Sequence, residues 1–261
     1  MLIDSHCHLN YKEYQNITNL LEFSLENGVD TFIAIGASDG MESCRETVEL
    51  SKKSDSIFPT IGIHPHDAKL YNNDIDKELR EMFSRYNIVA MGEIGLDYYY
   101  DHSPKDIQKE IFKKQLSMAV DFNLPIIIHT RDAEKDTIEI LKEFRIANKD
   151  IKILFHCFSG SSFLAEEGLK LGNTYFSFSG ILTFKKAQDI RDIAKTIPLD
   201  KILVETDSPY LTPTPFRGKT NHPAYVKYVA EKLAEIKEVE YNSIVKITRE
   251  NTISFFNLPI K

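Results

Sequence analysis

The sequence predicts an α/β protein, a (β/α)8 TIM-type barrel forming a single domain over residues 1–261. Three observations carry this. Short β-branched apolar runs alternate with amphipathic helical segments, the pattern of βαβ units and a parallel sheet. Eight such runs occur within 261 residues, the size of a closed eight-stranded barrel. An open doubly wound sheet should carry a GxGxxG or GxxxxGKS/T turn after its first strand, whereas here that strand runs into Ser5-His6-Cys7-His8.

The elements follow in order. Strands are expected at 2–3, 31–35, 57–63, 88–94, 125–128, 152–155, 174–178 and 202–204. A first helix is expected over 17–27, stopped by Gly28, the residue type that most easily ends a helix. Another opens at Ser103-Pro104, read as an N-cap followed by proline at the first helical position. It continues through Ile107, Ile111, Phe112, Gln115, Leu116 and Ala119 at helical spacing. Further helices are expected over 132–145, 161–171 and 184–196, and two more, over 223–236 and 241–256, close the chain.

Composition bounds the function. With 42% hydrophobic and 27% charged residues, the chain is neither disordered nor fibrous. A formal net charge of −7 and a pI of about 5.7 argue against a generally basic protein that coats nucleic acid. They leave an anionic substrate open, because bound divalent metals reverse the local field. Three cysteines without CxxC spacing argue against a disulfide framework or a thiolate zinc site and suit reduced thiols. No basic-then-apolar leader and no apolar run of about 18 residues is visible. The expectation is a soluble cytoplasmic protein with no membrane association, and no protein partner is evident.

The histidines carry most of the functional signal. Of eight, His6, His8, His64, His129 and His156 fall at or just after the C-terminal ends of expected strands, where barrel active sites are built. A lone histidine there is more often a hydrogen-bonded structural group, but five from several strands converge on one mouth. His6 and His8 are two apart, so on a strand they share a face and reach one metal while Cys7 turns away. Glu93 is a carboxylate on an apolar strand between Gly92 and Gly95. Buried, it needs a cation, either a metal or an Arg or Lys partner. Asp207 follows its strand in the same way. Four imidazoles and two carboxylates suffice for two divalent ions sharing a bridging carboxylate. Such mixed N/O ligation suits Zn, Mn, Fe or Co, and Mg less naturally. Metal-activated water then points to a hydrolase.

Six blocks stand out: Ser5-His6-Cys7-His8-Leu9, Gly62-Ile63-His64-Pro65, Gly92-Glu93-Ile94-Gly95-Leu96-Asp97-Tyr98, His129-Thr130-Arg131, His156-Cys157-Phe158-Ser159-Gly160 and Glu205-Thr206-Asp207-Ser208-Pro209-Tyr210-Leu211. Together they resemble the signatures of the TatD family of metal-dependent deoxyribonucleases, which share an amidohydrolase-like barrel. The blocks stand in the expected order and span nearly the whole chain. The resemblance implies two divalent ions (Zn, Mg or Mn), one on His6, His8 and Glu93 with Asp207 nearby, the other on Glu93, His129 and His156. Glu93 would bridge, Asp207 would orient or deprotonate the attacking water, and His64 would contact the scissile phosphate. It further implies exonucleolytic removal of nucleotides from DNA 3′ ends, with single strands or 3′ ends as the substrate.

Other residues admit two readings. Arg131 is read as a phosphate clamp or as an ion-pair partner of Glu205 or Asp132. Arg217 and Asn221, in the loop after the last strand, are read as substrate-binding or as solvated loop. Tyr98-Tyr99-Tyr100 could stack on single-stranded bases or pack a loop. Cys7 and Cys157 flank ligands without being ligands, and His66, His102 and His222 are read as surface or loop histidines, with a place behind the ligands as the other reading of His66. The competing activity is an amidohydrolase cleaving a C–N or lactone bond of a small molecule. A carboxylated barrel lysine would favour it, and Glu93 stands in that bridging place instead. A non-catalytic barrel would show degraded ligands, and all six are intact.

Overall fold

Strands and helices alternate along the chain in a computed structural model that describes residues 1–14, 16–100 and 102–260. The order is β1 (Leu2–Cys7), α1 (Ile17–Glu26), β2 (Val29–Gly36), α2 (Gly40–Ser51), β3 (Ile57–Ile61), α3 (Asn73–Arg85), β4 (Ala90–Asp97), α4 (Lys105–Asp121), β5 (Ile126–Arg131) and α5 (Glu134–Arg145). It continues with β6 (Ile153–Phe155), α6 (Ser162–Lys170), β7 (Thr174–Phe178), α7 (Gln188–Thr196), β8 (Ile202–Val204), α8 (Val226–Lys237) and α9 (Tyr241–Phe256). All eight strands are parallel, in the sheet order β1 to β8. This is the predicted (β/α)8 barrel.

Two helices lie where the apolar runs predict none. In α2, Met41, Cys44 and Val48 are buried, a stripe too narrow to stand out in a polar segment. In α3 the charged sequence hides Leu79, Met82 and Phe83, and Asn72 Oδ1 caps the helix by accepting from the amides of Asp74 and Ile75. Pro104 is the N-cap of α4, one position later than predicted. Ser103 Oγ is turned elsewhere, donating to His66 O and accepting from Lys69 N. α7 starts at Gln188 rather than 184, because Ala187 N donates to Phe184 O in a preceding turn.

The barrel nearly closes between β1 and β8. Backbone bonds run from His8 N to Ser208 O (2.8 Å) and from Asp207 N to His6 O (3.0 Å). Side chains complete the seam. Ser5 Oγ donates to Val204 O, and the buried Asp4 carboxylate accepts from Thr206 N and Thr206 Oγ1. Inside, one buried cluster draws Ile3, Ile33, Phe58, Ile127, Leu154, Tyr175 and Leu203 from seven strands, plugged by Phe255, Phe256 and Leu258 from the chain's end. Alternation along a strand keeps residues i and i+2 on one face. The inward positions therefore pass from Ile127 to His129, from Leu154 to His156, and from Leu203 through Glu205 to Asp207. The barrel interior is oil at its base and polar at its mouth.

Candidate metal centre

His6 and His8 come from the end of β1. The Cys7 thiol faces the other way, donating to Ile33 O at 3.4 Å from a fully buried position. His64 follows β3. Its Nδ1 accepts from His66 N, which leaves Nε2 to point at Glu93. Glu93 lies within β4, between two glycines at positive φ, 157° for Gly92 and 143° for Gly95. A Cβ on Gly95 would stand 2.0 Å from His129 O, so glycine is what lets β4 and β5 approach closely enough to bring Glu93 and His129 together. His156 directly follows β6, and Asp207 follows β8 with φ 53°.

Glu93 is the hub. Its Oε1 lies 2.7 Å from His129 Nδ1, 2.7 Å from His156 Nε2 and 3.5 Å from His64 Nε2. Its Oε2 lies 3.5 Å from His6 Nε2. Asp207 Oδ1 sits 3.3 Å from His8 Nε2 and 3.7 Å from His6 Nε2. The rings of His6 and His156 stack at 4.0 Å, 9° from parallel. Three sets bring their ligand atoms within 4.8 Å of one another: His6, His8 and Glu93; His64, Glu93 and His129; and His6, His156 and Glu205. Burial alone would raise the Glu93 pKa, but His156, His64 and the hydrogen bonds of His129 and His156 hold it well below the usual carboxylate range. Burial, with His156 nearby, lowers the pKa of His6, and burial with His129 lowers that of His64 to about 4. Both rings are therefore uncharged at neutral pH. Burial opposes a charge on His156, yet Glu93 and Glu205 raise its pKa; a field that attracts a proton there attracts any cation.

The sequence model of the family described as TatD related DNase matches residues 3–257. The chain belongs to the TatD-related DNase family. It is 42% identical over 259 residues to an uncharacterized metal-dependent hydrolase, YabD, of Bacillus subtilis, covering 99% of this chain and all of that one. It is 38% identical to the Escherichia coli metal-dependent hydrolase YcfH, over 98% of this chain and 96% of that one. The solved structure of YjjV, a TatD homolog from Escherichia coli, superposes with a TM-score of 0.91 at 26% identity, covering 99% and 98% of the two chains. This TatD-family chain is a metal-dependent hydrolase.

The donors fit divalent cations. His6 is fully buried and neither ring nitrogen has a hydrogen-bond partner, an expensive state unless something accepts its lone pair. Asp4, Glu93, Asp97 and Glu205 are buried. Among the described residues, the ion pairs of Glu93, Asp97, Glu205 and Asp207 are all with histidine, and no Arg or Lys neutralises them. A compensating cation is what such a cluster requires.

The TatD-family site opens into a cavity of about 800 Å³, whose lining includes His8, His64, Glu93, His129, His156, Asp207 and Arg131. Arg131 forms no ion pair among the described residues. Its guanidinium lies over the rings of Tyr99 (4.0 Å) and Tyr100 (5.0 Å). Arg217 and Asn221 do not line this cavity. The Arg217 guanidinium covers the Phe184 ring and donates to Thr212 O. Asn221 is 1% exposed and spends its amide on Thr206 O and Tyr210 O. Of the two readings of His66, the place behind the ligands is the one its geometry matches, since its Nε2 meets Asp97 Oδ2 at 2.9 Å. Asp97 itself, 3.0 Å from His129 Nε2, carries no role in the sequence reading, although it lies four residues beyond Glu93 on the same strand face. Glu205 is the other omission. It accepts from Ser177 Oγ and faces His156 Nδ1 at 3.5 Å, two residues before Asp207 on an alternating strand end.

Proposed function

We propose that this TatD-family hydrolase is a two-metal phosphodiesterase that removes nucleotides from the 3′ ends of unpaired DNA. The observation that carries the reading is Glu93, whose two carboxylate oxygens face different histidines. That arrangement suits a ligand shared by two ions. His6, His8 and Glu93, with Asp207 beside them, would hold one ion, and Glu93, His129 and His156 the other. Divalent ions held there would supply Lewis-acid chemistry, polarising a phosphoryl oxygen and making water a better nucleophile.

The chain's own groups supply the rest. Burial raises the Asp207 pKa, but His8 and His6 more than reverse this and keep the carboxylate ionised. Its Oδ1 accepts a proton from the attacking water. His64 is neutral at pH 7, and because its Nδ1 accepts from His66 N, Nε2 carries the hydrogen. That N–H donates to a phosphate oxygen. Arg131, held over Tyr99, offers a planar fork to a second oxygen. The family's description as DNases supports DNA, and the glutamate in the bridging place argues against an amidohydrolase built on a carboxylated lysine.

Metal-free protein reconstituted separately with Zn, Mg or Mn tests the reading. End-labelled single-stranded DNA, duplex DNA, RNA and a dipeptide panel would be offered in parallel. Mononucleotide release from the 3′ end of single-stranded DNA is expected. Turnover of a dipeptide with all nucleic acids intact would transfer the protein to the amidohydrolases.

A further inference from the structure

We propose that Tyr210 is the platform on which an unpaired nucleobase next to the scissile bond stacks, an inference that rests on the phosphodiesterase reading above. Tyr210 is 55% exposed, yet it lines the same cavity as Glu93 and Asp207 and lies three residues beyond Asp207. Its ring neighbours meet it at steep angles: His8 at 6.1 Å and 70°, and Tyr11 at 6.4 Å and 61°. Among the described residues no ring is stacked parallel upon it.

The other aromatics around the mouth are already engaged. Arg131 covers Tyr99, and His102 stacks on Tyr100 at 5.5 Å and 18°. Tyr98 donates its hydroxyl to Asp136 at 2.6 Å and lies beneath Lys105. Base stacking therefore falls to Tyr210 rather than to the three consecutive tyrosines after β4.

The backbone around Tyr210 is held in advance. Tyr210 N donates to Asp207 O (2.9 Å), and Tyr210 O accepts from the buried Asn221 amide (2.5 Å). Asn221 N donates to Pro209 O, and its amide also reaches Thr206 O. Asn221 thus serves as a positioning residue for an exposed ring. The ordering cost is met on folding rather than on binding. An aromatic face stacks on any base, which gives affinity without sequence preference. A base inside a duplex has both faces covered by its neighbours and cannot use the platform.

The test compares a single-stranded oligonucleotide ending in a 3′ adenine nucleotide with one ending in an abasic tetrahydrofuran residue. Metal-loaded wild type, Tyr210→Phe and Tyr210→Ala are assayed on both. Stacking is worth about 1–3 kcal/mol per base, or about 5- to 150-fold. Wild type and Tyr210→Phe should prefer the adenine end by a factor in that range, mainly through KM, and in Tyr210→Ala the ratio should fall to near one. A second readout needs no turnover. On metal-loaded protein, a 3′-terminal 2-aminopurine joined through a hydrolysis-resistant phosphorothioate linkage should be quenched by wild type and Tyr210→Phe but not by Tyr210→Ala. Because the ring is exposed, its removal leaves no core cavity, and unchanged circular dichroism and metal content would verify the variant. Equal cleavage of both strands by wild type, or a preference that survives in Tyr210→Ala, overturns the platform while leaving the nuclease intact. Failure to cleave any DNA, with turnover of a dipeptide, overturns both.

Discussion

Glu93 is 4% exposed with imidazoles at both of its oxygens, and no other proposed ligand serves both ions. Glu93→Gln should therefore remove more bound metal than His129→Ala, as read by elemental analysis per chain. Retention of two ions by Glu93→Gln would contradict the bridging role. Neighbouring residues in sequence should behave very differently. The Cys7 thiol points at Ile33 O and away from the imidazoles, so Cys7→Ala should keep hydrolysis within a few-fold of the parent. His8→Ala should lose on the order of a hundredfold or more, the scale of a lost transition-state contact. Comparable losses in the two variants would show that both side chains serve the site. The alternation that separates them is legible from two residues of spacing. The parts played by Asp97 and Glu205 were equally open to that rule, but a carboxylate's partner is chosen by other strands, and nothing local names His129 or His156.

The element that sets the site's dimensions is the β4–β5 pair, in which Gly95 stands opposite His129. A methyl group on Gly95 would lie 2.0 Å from the His129 carbonyl oxygen. That oxygen belongs to the backbone and cannot swing aside, so the strands must part. Gly95→Ala should cost at least about 2 kcal/mol, in the range of overpacked interiors, and should weaken metal retention because Glu93 and His129 separate together. Urea unfolding midpoints measure the first effect and elemental analysis the second. A variant as stable as the parent would mean that the strands tolerate a wider spacing. The flanking glycines are visible in the sequence. The reason for them is visible only once β5 lies alongside.

At the scale of the whole molecule, a chain of formal charge −7 must attract a polyanion locally. Of the cations proposed for this, Arg131 lines the cavity, joined there by Lys69, whereas Arg217 lies over Phe184. With about two to four phosphates contacted, log affinity for single-stranded DNA should fall against log salt with a slope of about −1.5 to −3. The smaller set of mouth cations favours the shallow end. Titration of the metal-loaded protein with a hydrolysis-resistant phosphorothioate strand at several salt concentrations measures it, and a much steeper slope would reveal an extended basic track elsewhere on the surface. Arg131→Ala should weaken binding of all sequences alike, because phosphate contacts position a strand without reading its bases. Among the described residues no helix is long and apolar enough to cross a membrane.

Strand and helix alternation, the barrel it implies and the five histidines at strand ends were all determined by the sequence itself. Each rests on a periodicity of two or of 3.6 residues, which a stretch of a few turns or pleats displays without reference to the rest of the chain. Where that stripe was narrow or crowded by charge, as in α2 and α3, the local signal fell below notice. Tertiary structure alone decided how the ends meet, through contacts such as Ser5 Oγ to Val204 O across 199 residues of sequence. It also decided that Asp97 ties His129 to His66, that Asn221 is buried with its amide bonded to Thr206 O and Tyr210 O, and that among the described residues no ring stacks on Tyr210. Those outcomes depend on which distant groups share a buried space, and hydrogen bonding and desolvation act between groups close in space, however far apart they are in the chain.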